Sequence, residues 1–447
     1  MRGTRLAAWL SLPFLLAGTL GAQADPGAAA GRRDDLAAFR REFLAVDQSY
    51  SADHRAEAER RLARLDASAA SLSAAAFELE LARIVALADN GHTNSPGARR
   101  SRRYSRVPVR LAPFGTDFFV LRTDTANADL LGARLTAIDH HPVADLQRAA
   151  RELWGGTAAW RDRQVPFLLE SPEQLQALNL AVRGDRADYE FVLPNGRTVQ
   201  RLIPADPANP QRDRYFPSRW LSPEPLDTDR GVWRMLAPAG LPWAFHDPDV
   251  LLRHRVDQDL GAVVAQLRIN RDAPDRRMAD FLAAVQAAIT ESGAPHFVLD
   301  LRFDGGGDLN TTRDFVQRLP RLVSGRIFIL TSPYTFSAAI STAGYLKQAG
   351  GDRVTIVGEP VGDRLEFWAE GGLVVLPYSG AAMSVARERH DYRNGCRAYR
   401  DCHGPVRRNP IAVASLGPDV AAPLSIEAFR AGRDPGMEAV AAALGRR

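Results

Sequence analysis

Lysine is nearly missing from this sequence. Lys347 is the only one in 447 residues, so almost all the basic charge is arginine, and the formal net charge is only +4. There is no basic stripe with interleaved aromatics, which argues against a nucleic acid partner. Past the amino terminus no stretch of 18 apolar residues occurs, which excludes a membrane-spanning helix on pattern. Internal repeats are absent. Cysteine is scarce too, with only Cys396 and Cys402.

The first 24 residues read as a targeting segment. Arg2 and Arg5 form a basic start, Leu6 to Leu20 an apolar run, and Ala22-Gln23-Ala24 a small-residue cleavage site. No cysteine follows, which excludes a lipoprotein signal. The expectation is an exported, periplasmic or extracellular protein with no membrane insertion after cleavage. Export to an oxidising compartment favours a Cys396–Cys402 disulfide. Metal binding by these cysteines with Asp401 and His403 is the weaker alternative, because the spacing is a poor zinc signature.

The rest divides by pattern. Residues 25–103 carry amphipathic helical spacing, ending in Asp89-Asn90-Gly91-His92-Thr93, where Asn-Gly signals a helix stop and turn. Arg99, Arg100, Arg102, Arg103 and Arg106 follow. They read as a solvated, mobile loop, with a site for a substrate carboxylate as the functional alternative. Residues 104–205 alternate like short strands and read as a small β-rich domain. Residues 206–230 are rich in Pro, Asp and Arg and read as a linker. Residues 231–447 form the largest unit.

Within that unit three short apolar runs alternate with helix-like runs. Phe297–Arg302 ends in Asp304-Gly305-Gly306-Gly307, Arg326–Leu330 ends in Tyr334-Thr335-Phe336-Ser337-Ala338, and Val354–Val357 ends in Gly358-Glu359. Such alternation predicts buried parallel strands with crossover helices, and ligands bind at the carboxyl ends of such strands. Ser337 is expected at the start of a helix from about Phe336 to Gln348. A hydroxyl beside the Ala338 N–H at a helix start supplies a nucleophile and an oxyanion donor. The plain alternative is a serine N-cap beside a glycine turn.

Taken in order, Leu299–Gly307, Tyr334–Ala339 and Val357–Pro360 resemble the strand–glycine motif, nucleophile turn and following strand end of the S41 family. These are the C-terminal processing, tail-specific and tricorn-type serine peptidases. Gly132–Asp139 and the following His140-His141-Pro142-Val143 are similar to a strand and turn of that family's PDZ-like domain, with a histidine where glycine is usual. The resemblance implies an α/β fold with a ClpP/crotonase-like core, a small PDZ-like β domain and an N-terminal helical region. It implies Ser337 as nucleophile and N–H groups of Gly306 and Ala338 as the oxyanion hole. It implies peptide or protein substrates, admitted by strand addition, and no metal or organic cofactor. Oligomeric state is left open.

One departure matters. The lysine of the family's Ser–Lys dyad is replaced by Gly362-Asp363-Arg364-Leu365, and arginine is no base near neutral pH. The resemblance then points to the histidine-dependent branch, in which Asp89–Thr93 matches a D-x-x-H-T element. His92 is the expected base, with His390 next. Glu359 is the expected orienting carboxylate, with Glu366 and Glu370 as rivals. A catalytically inactive peptide-binding scaffold is the alternative function. An esterase of another kind is disfavoured, because Ser337 lacks a Gly-x-Ser-x-Gly elbow.

Overall fold

The computed structural model describes residues 26–210, 219, 221–224, 233–397 and 400–446. The targeting segment and most of the expected linker lie outside the described residues.

The carboxy-terminal unit is built on a six-stranded sheet. Its strands are Leu252–Asp257, Ala262–Leu267, His296–Asp300, Ile327–Thr331, Val354–Gly358 and Val420–Ala421, side by side in that order. All neighbours pair in parallel except the antiparallel edge strand Leu252–Asp257. The central strands are buried along almost their whole length and mostly apolar because helices cover both faces. Ile327–Thr331 is buried at every residue. The helices Met278–Ser292, Asn310–Leu322 and Ala338–Gly350 supply Phe281, Val285, Phe315, Leu319, Ile340 and Leu346 to one core. Helix Pro435–Ala443 packs on the other face with Val440. The strands and helices expected here fall within a few residues of where the apolar runs placed them.

Beyond the sheet, Glu366–Val375 and Ala382–Asp391 form a long antiparallel hairpin. On sequence pattern only Gly371–Leu376 reads as a strand here, and the second arm carries no comparable signal. The hairpin's tip is held from outside. Leu376, Ala381, Met383 and Val385 share an apolar cluster with Phe39, Phe43, Leu62 and Phe77 of the amino-terminal helices.

Of those helices, Pro26–Ala38, Ala52–Ser68 and Ala74–Ala86, the second and third start from local capping. Ser51 accepts from the His54 N–H and Ser73 from the Ala76 N–H. The third also turns Leu79 and Ala82 into the core of a seven-stranded sheet, antiparallel in its described pairings and spanning 109–235. In that sheet the tight turn at Asp139-His140 has φ of 44° and 68°. The turn that usually carries glycine is thus adopted by an Asp–His pair, and Asp139 secures it by accepting from the Val182 and Asp188 N–H groups.

Arg100, Arg103 and Arg106 correct the expectation of a solvated loop over the arginines of 99–106, although Arg99 is exposed. They lie in and just beyond a short helix, Gly97–Arg103. Arg100 is 1% exposed, bonds to Ser95 and Gln174, and lies over the Trp154 ring. Arg103 meets Glu78, and Arg106 meets fully buried Glu170. These guanidiniums are internal ties made to residues far along the chain.

Cys396 and Cys402 are joined as a disulfide, as expected. Among the described residues no helix is long and apolar enough to cross a membrane.

Candidate active site

The site lies where the carboxyl ends of the central strands meet the hairpin and the loop after the third amino-terminal helix. Ser337 immediately precedes helix Ala338–Gly350, with φ 56° and ψ −125°. An L-residue with positive φ costs of order 1–3 kcal/mol and persists only where its surroundings impose it. Its side chain makes no capping bond to the helix, so the plain N-cap reading does not describe it.

The surroundings that impose this turn can be named. Thr335 Oγ1 donates to the Leu301 carbonyl and Ser332 Oγ to that of Arg302. The Phe336 N–H donates to the Asp304 carbonyl. Together these stitch the Ser337 turn to the glycine turn. Gly306 has φ +100°, and a Cβ there would fall 2.6 Å from Ser337 Cβ and 3.0 Å from the Ala338 nitrogen. Only glycine allows that approach. Gly307 is held as closely against Asn270, whose carbonyl accepts from the Asp308 N–H.

Gly306 lies where an oxyanion donor is expected, but its N–H already donates to Asp304 Oδ1 at 2.9 Å. Asp304 is fully buried and its Oδ2 has no partner. Burial pushes its carboxyl up to about 8, against the opposing pull of that N–H.

Every residue of the Asp89–Asn94 loop has a structural task around His92. Asp89, with φ 47°, receives the Gly156 N–H and the Arg364 guanidinium. Asn90 uses its side-chain amide as a surrogate strand, donating to the Trp368 carbonyl and accepting the Trp368 N–H. Thr93 bonds to buried Asp47, which also takes the Ala386 N–H. Asn94 closes the loop onto the Gly91 carbonyl.

His92 is thereby held between two phenyl rings. Phe336 stacks on one side at 4.3 Å between centroids and Phe367 at 5.0 Å. Its Nδ1 lies 3.3 Å from Oδ2 of Asp363, whose side chain is fully buried. Its Nε2 is buried and makes no hydrogen bond. Since Phe336 precedes Ser337, the stacking joins the histidine loop to the Ser337 turn.

The carboxylates expected to orient the base sit elsewhere. Glu359 is pinned through its backbone to Thr331, while its carboxylate accepts from the Leu424 N–H and is pushed up by burial. Glu366 pairs with Arg389, and Glu370 faces His390. Sequence reasoning passed over Asp363, noticing only that its segment lacks a lysine. Its one signal was a carboxylate in a glycine-led loop just past a core strand. Lys347 is tied to the Val354 carbonyl and Asp419. His390, the second candidate base, is separated from His92 by Phe367.

No protein-family model and no curated protein sequence matches the chain. Solved structures do. Mature CPAF complexed with lactacystin superposes with a TM-score of 0.56 at 14% identity, covering 93% of this chain and 98% of that one. A CPAF mutant gives 0.58 at 12% identity, with 93% and 97% covered. The chain has the S41-type peptidase fold that its motifs implied. The photosystem II D1 C-terminal processing protease covers a similar share, 94% and 98%, but its TM-score is 0.37 at 14% identity.

Proposed function

We propose that this chain is an exported serine peptidase that cleaves peptide or protein substrates with Ser337, His92 and Asp363. One observation carries the reading. Ser337 is held in a strained conformation with its hydroxyl not used as a cap, next to Phe336, which stacks on a histidine whose Nδ1 faces a buried carboxylate.

In this mechanism Ser337 Oγ attacks the scissile carbonyl and passes its proton to His92 Nε2. The same imidazolium then gives that proton to the leaving amine, and water repeats the cycle on the acyl-enzyme. Asp363 fixes the Nδ1–H tautomer and stabilises the imidazolium. The Ala338 N–H stabilises the oxyanion at the helix start. The Gly306 N–H joins it once released from Asp304. Export fits the paired cysteines.

The alternative, an inactive peptide-binding scaffold, draws support from that last contact, because the Gly306 N–H is engaged by Asp304. Labelling by a fluorophosphonate, with Ser337→Ala as control, separates the two. The peptidase reading requires stoichiometric labelling and substrate turnover, both lost in Ser337→Ala with unchanged thermal unfolding. An inert Ser337 in the folded chain leaves the scaffold.

A further inference from the structure

On the far side of Phe367 from His92, three side chains converge. Glu370, His390 and His403 each offer one donor atom, and the three atoms lie within 4.8 Å of one another. They come from three places: the two arms of the hairpin and the residue just past the disulfide, where helix Gly404–Arg408 begins. We propose that they form a binding site for a zinc-class divalent cation, a site that stands whether or not Ser337 is a nucleophile.

The partners of the two imidazoles argue for this. His390 is 2% exposed, and its Nδ1 lies 2.9 Å from the Tyr392 hydroxyl, which in turn meets Ser341 Oγ at 2.5 Å. With Tyr392 donating to Ser341 and accepting from Nδ1–H, the His390 Nε2 presents a bare lone pair. That Nε2 is buried, has no hydrogen bond, and lies 3.4 Å from Glu370 Oε1. His403 Nδ1 is held by Glu388 Oε2 at 2.6 Å, which leaves Nε2 as its coordinating nitrogen. A histidine whose second nitrogen is fixed by a carboxylate or hydroxyl is the arrangement that orients metal ligands.

Geometry and donor chemistry agree. Ligand atoms about 2.0–2.1 Å from a tetrahedral zinc ion stand about 3.3 Å apart, close to the Glu370–His390 separation. Two imidazoles and one carboxylate are a known zinc donor set, and three ligands leave a fourth position for water. Glu370 is brought into place by a bulge. It has φ 60°, and the hairpin register shifts on both sides of it. The disulfide loop brings His403: the Arg389 N–H donates to the Asp401 carbonyl, and the His403 N–H to the Arg389 carbonyl.

The test is Zn²⁺ titration by calorimetry of the oxidised chain, stripped with chelator, near neutral pH. One equivalent should bind and raise the melting temperature. His403→Ala and Glu370→Gln, both at the accessible rim, should abolish binding while melting like the parent without metal. Glu388→Gln should weaken it about 10–100-fold. Co²⁺ should give the intense visible absorption of a tetrahedral site, lost in His403→Ala. Absence of binding, binding unchanged in both ligand variants, or a pale octahedral Co²⁺ spectrum overturns the proposal.

Discussion

Asp363 meets His92 through a 3.3 Å contact between Oδ2 and Nδ1, across a sequence separation of 271 residues. If this contact orients the base, Asp363→Asn leaves the shape intact and imposes the wrong tautomer. The expected loss in kcat is about 10³–10⁴-fold with little change in KM. Glu359→Gln should stay within a few-fold of the parent. Steady-state kinetics on an unfolded protein substrate reads both. The opposite ranking would restore Glu359 as the orienting group.

Gly91 has no room for a methyl group. A Cβ there would lie 2.8 Å from Asp363 Oδ2 and 3.0 Å from the Phe336 ring. Gly91→Ala should push the imidazole out of line and lower kcat/KM by about 10²-fold, the order expected for a misplacement near 1 Å. Wild-type rates in Gly91→Ala would show that the loop has slack.

Backbone strain at Ser337 gives a stability prediction independent of turnover. Alanine retains the strained φ, whereas glycine relaxes it. Ser337→Gly should therefore unfold at a higher denaturant concentration than Ser337→Ala, by about 1 kcal/mol after glycine's entropy cost. Both should be inactive. Equal midpoints would mean that the turn is not strained.

Asp304 predicts a pH dependence of stability. Its folded-state pKa is raised to about 8 by burial, while the unfolded value is about 3.9. Between these values the folded chain holds a proton that the unfolded chain releases, so the contribution is full below about pH 4 and is lost as pH rises toward 8. Asp304→Asn keeps an acceptor for the Gly306 N–H and does not titrate. Its stability relative to the parent should grow from about pH 4 to about pH 8 and then level off. Parallel denaturation curves across that range would contradict the assignment.

How much of this was legible depends on locality. The core strands could be read because each apolar run is short, buried on both faces and ended by glycine or a turn. Ser337, the glycine turn and His92 sit at the ends of such runs or of an amphipathic helix. Asp363 could not be read, because its meaning comes from a loop 271 residues away. Ala382–Asp391 was hidden for a similar reason. Its interior half reads as mixed polar sequence until Met383 and Val385 are seen against the amino-terminal helices. Arg100, Arg103 and Arg106 read as solvated because Trp154, Glu78 and Glu170, which hold them, are remote in sequence.

The rings of Trp160, Phe336, His92, Phe367, His390 and His403 lie one upon the next, with neighbouring centroids 3.9 to 5.0 Å apart and planes within 25°. Sandwiched in that column, the His92 imidazole has a ring against each of its faces, which opposes a flip. The ring edge that faces Asp363 is therefore set when the chain folds, before any substrate arrives.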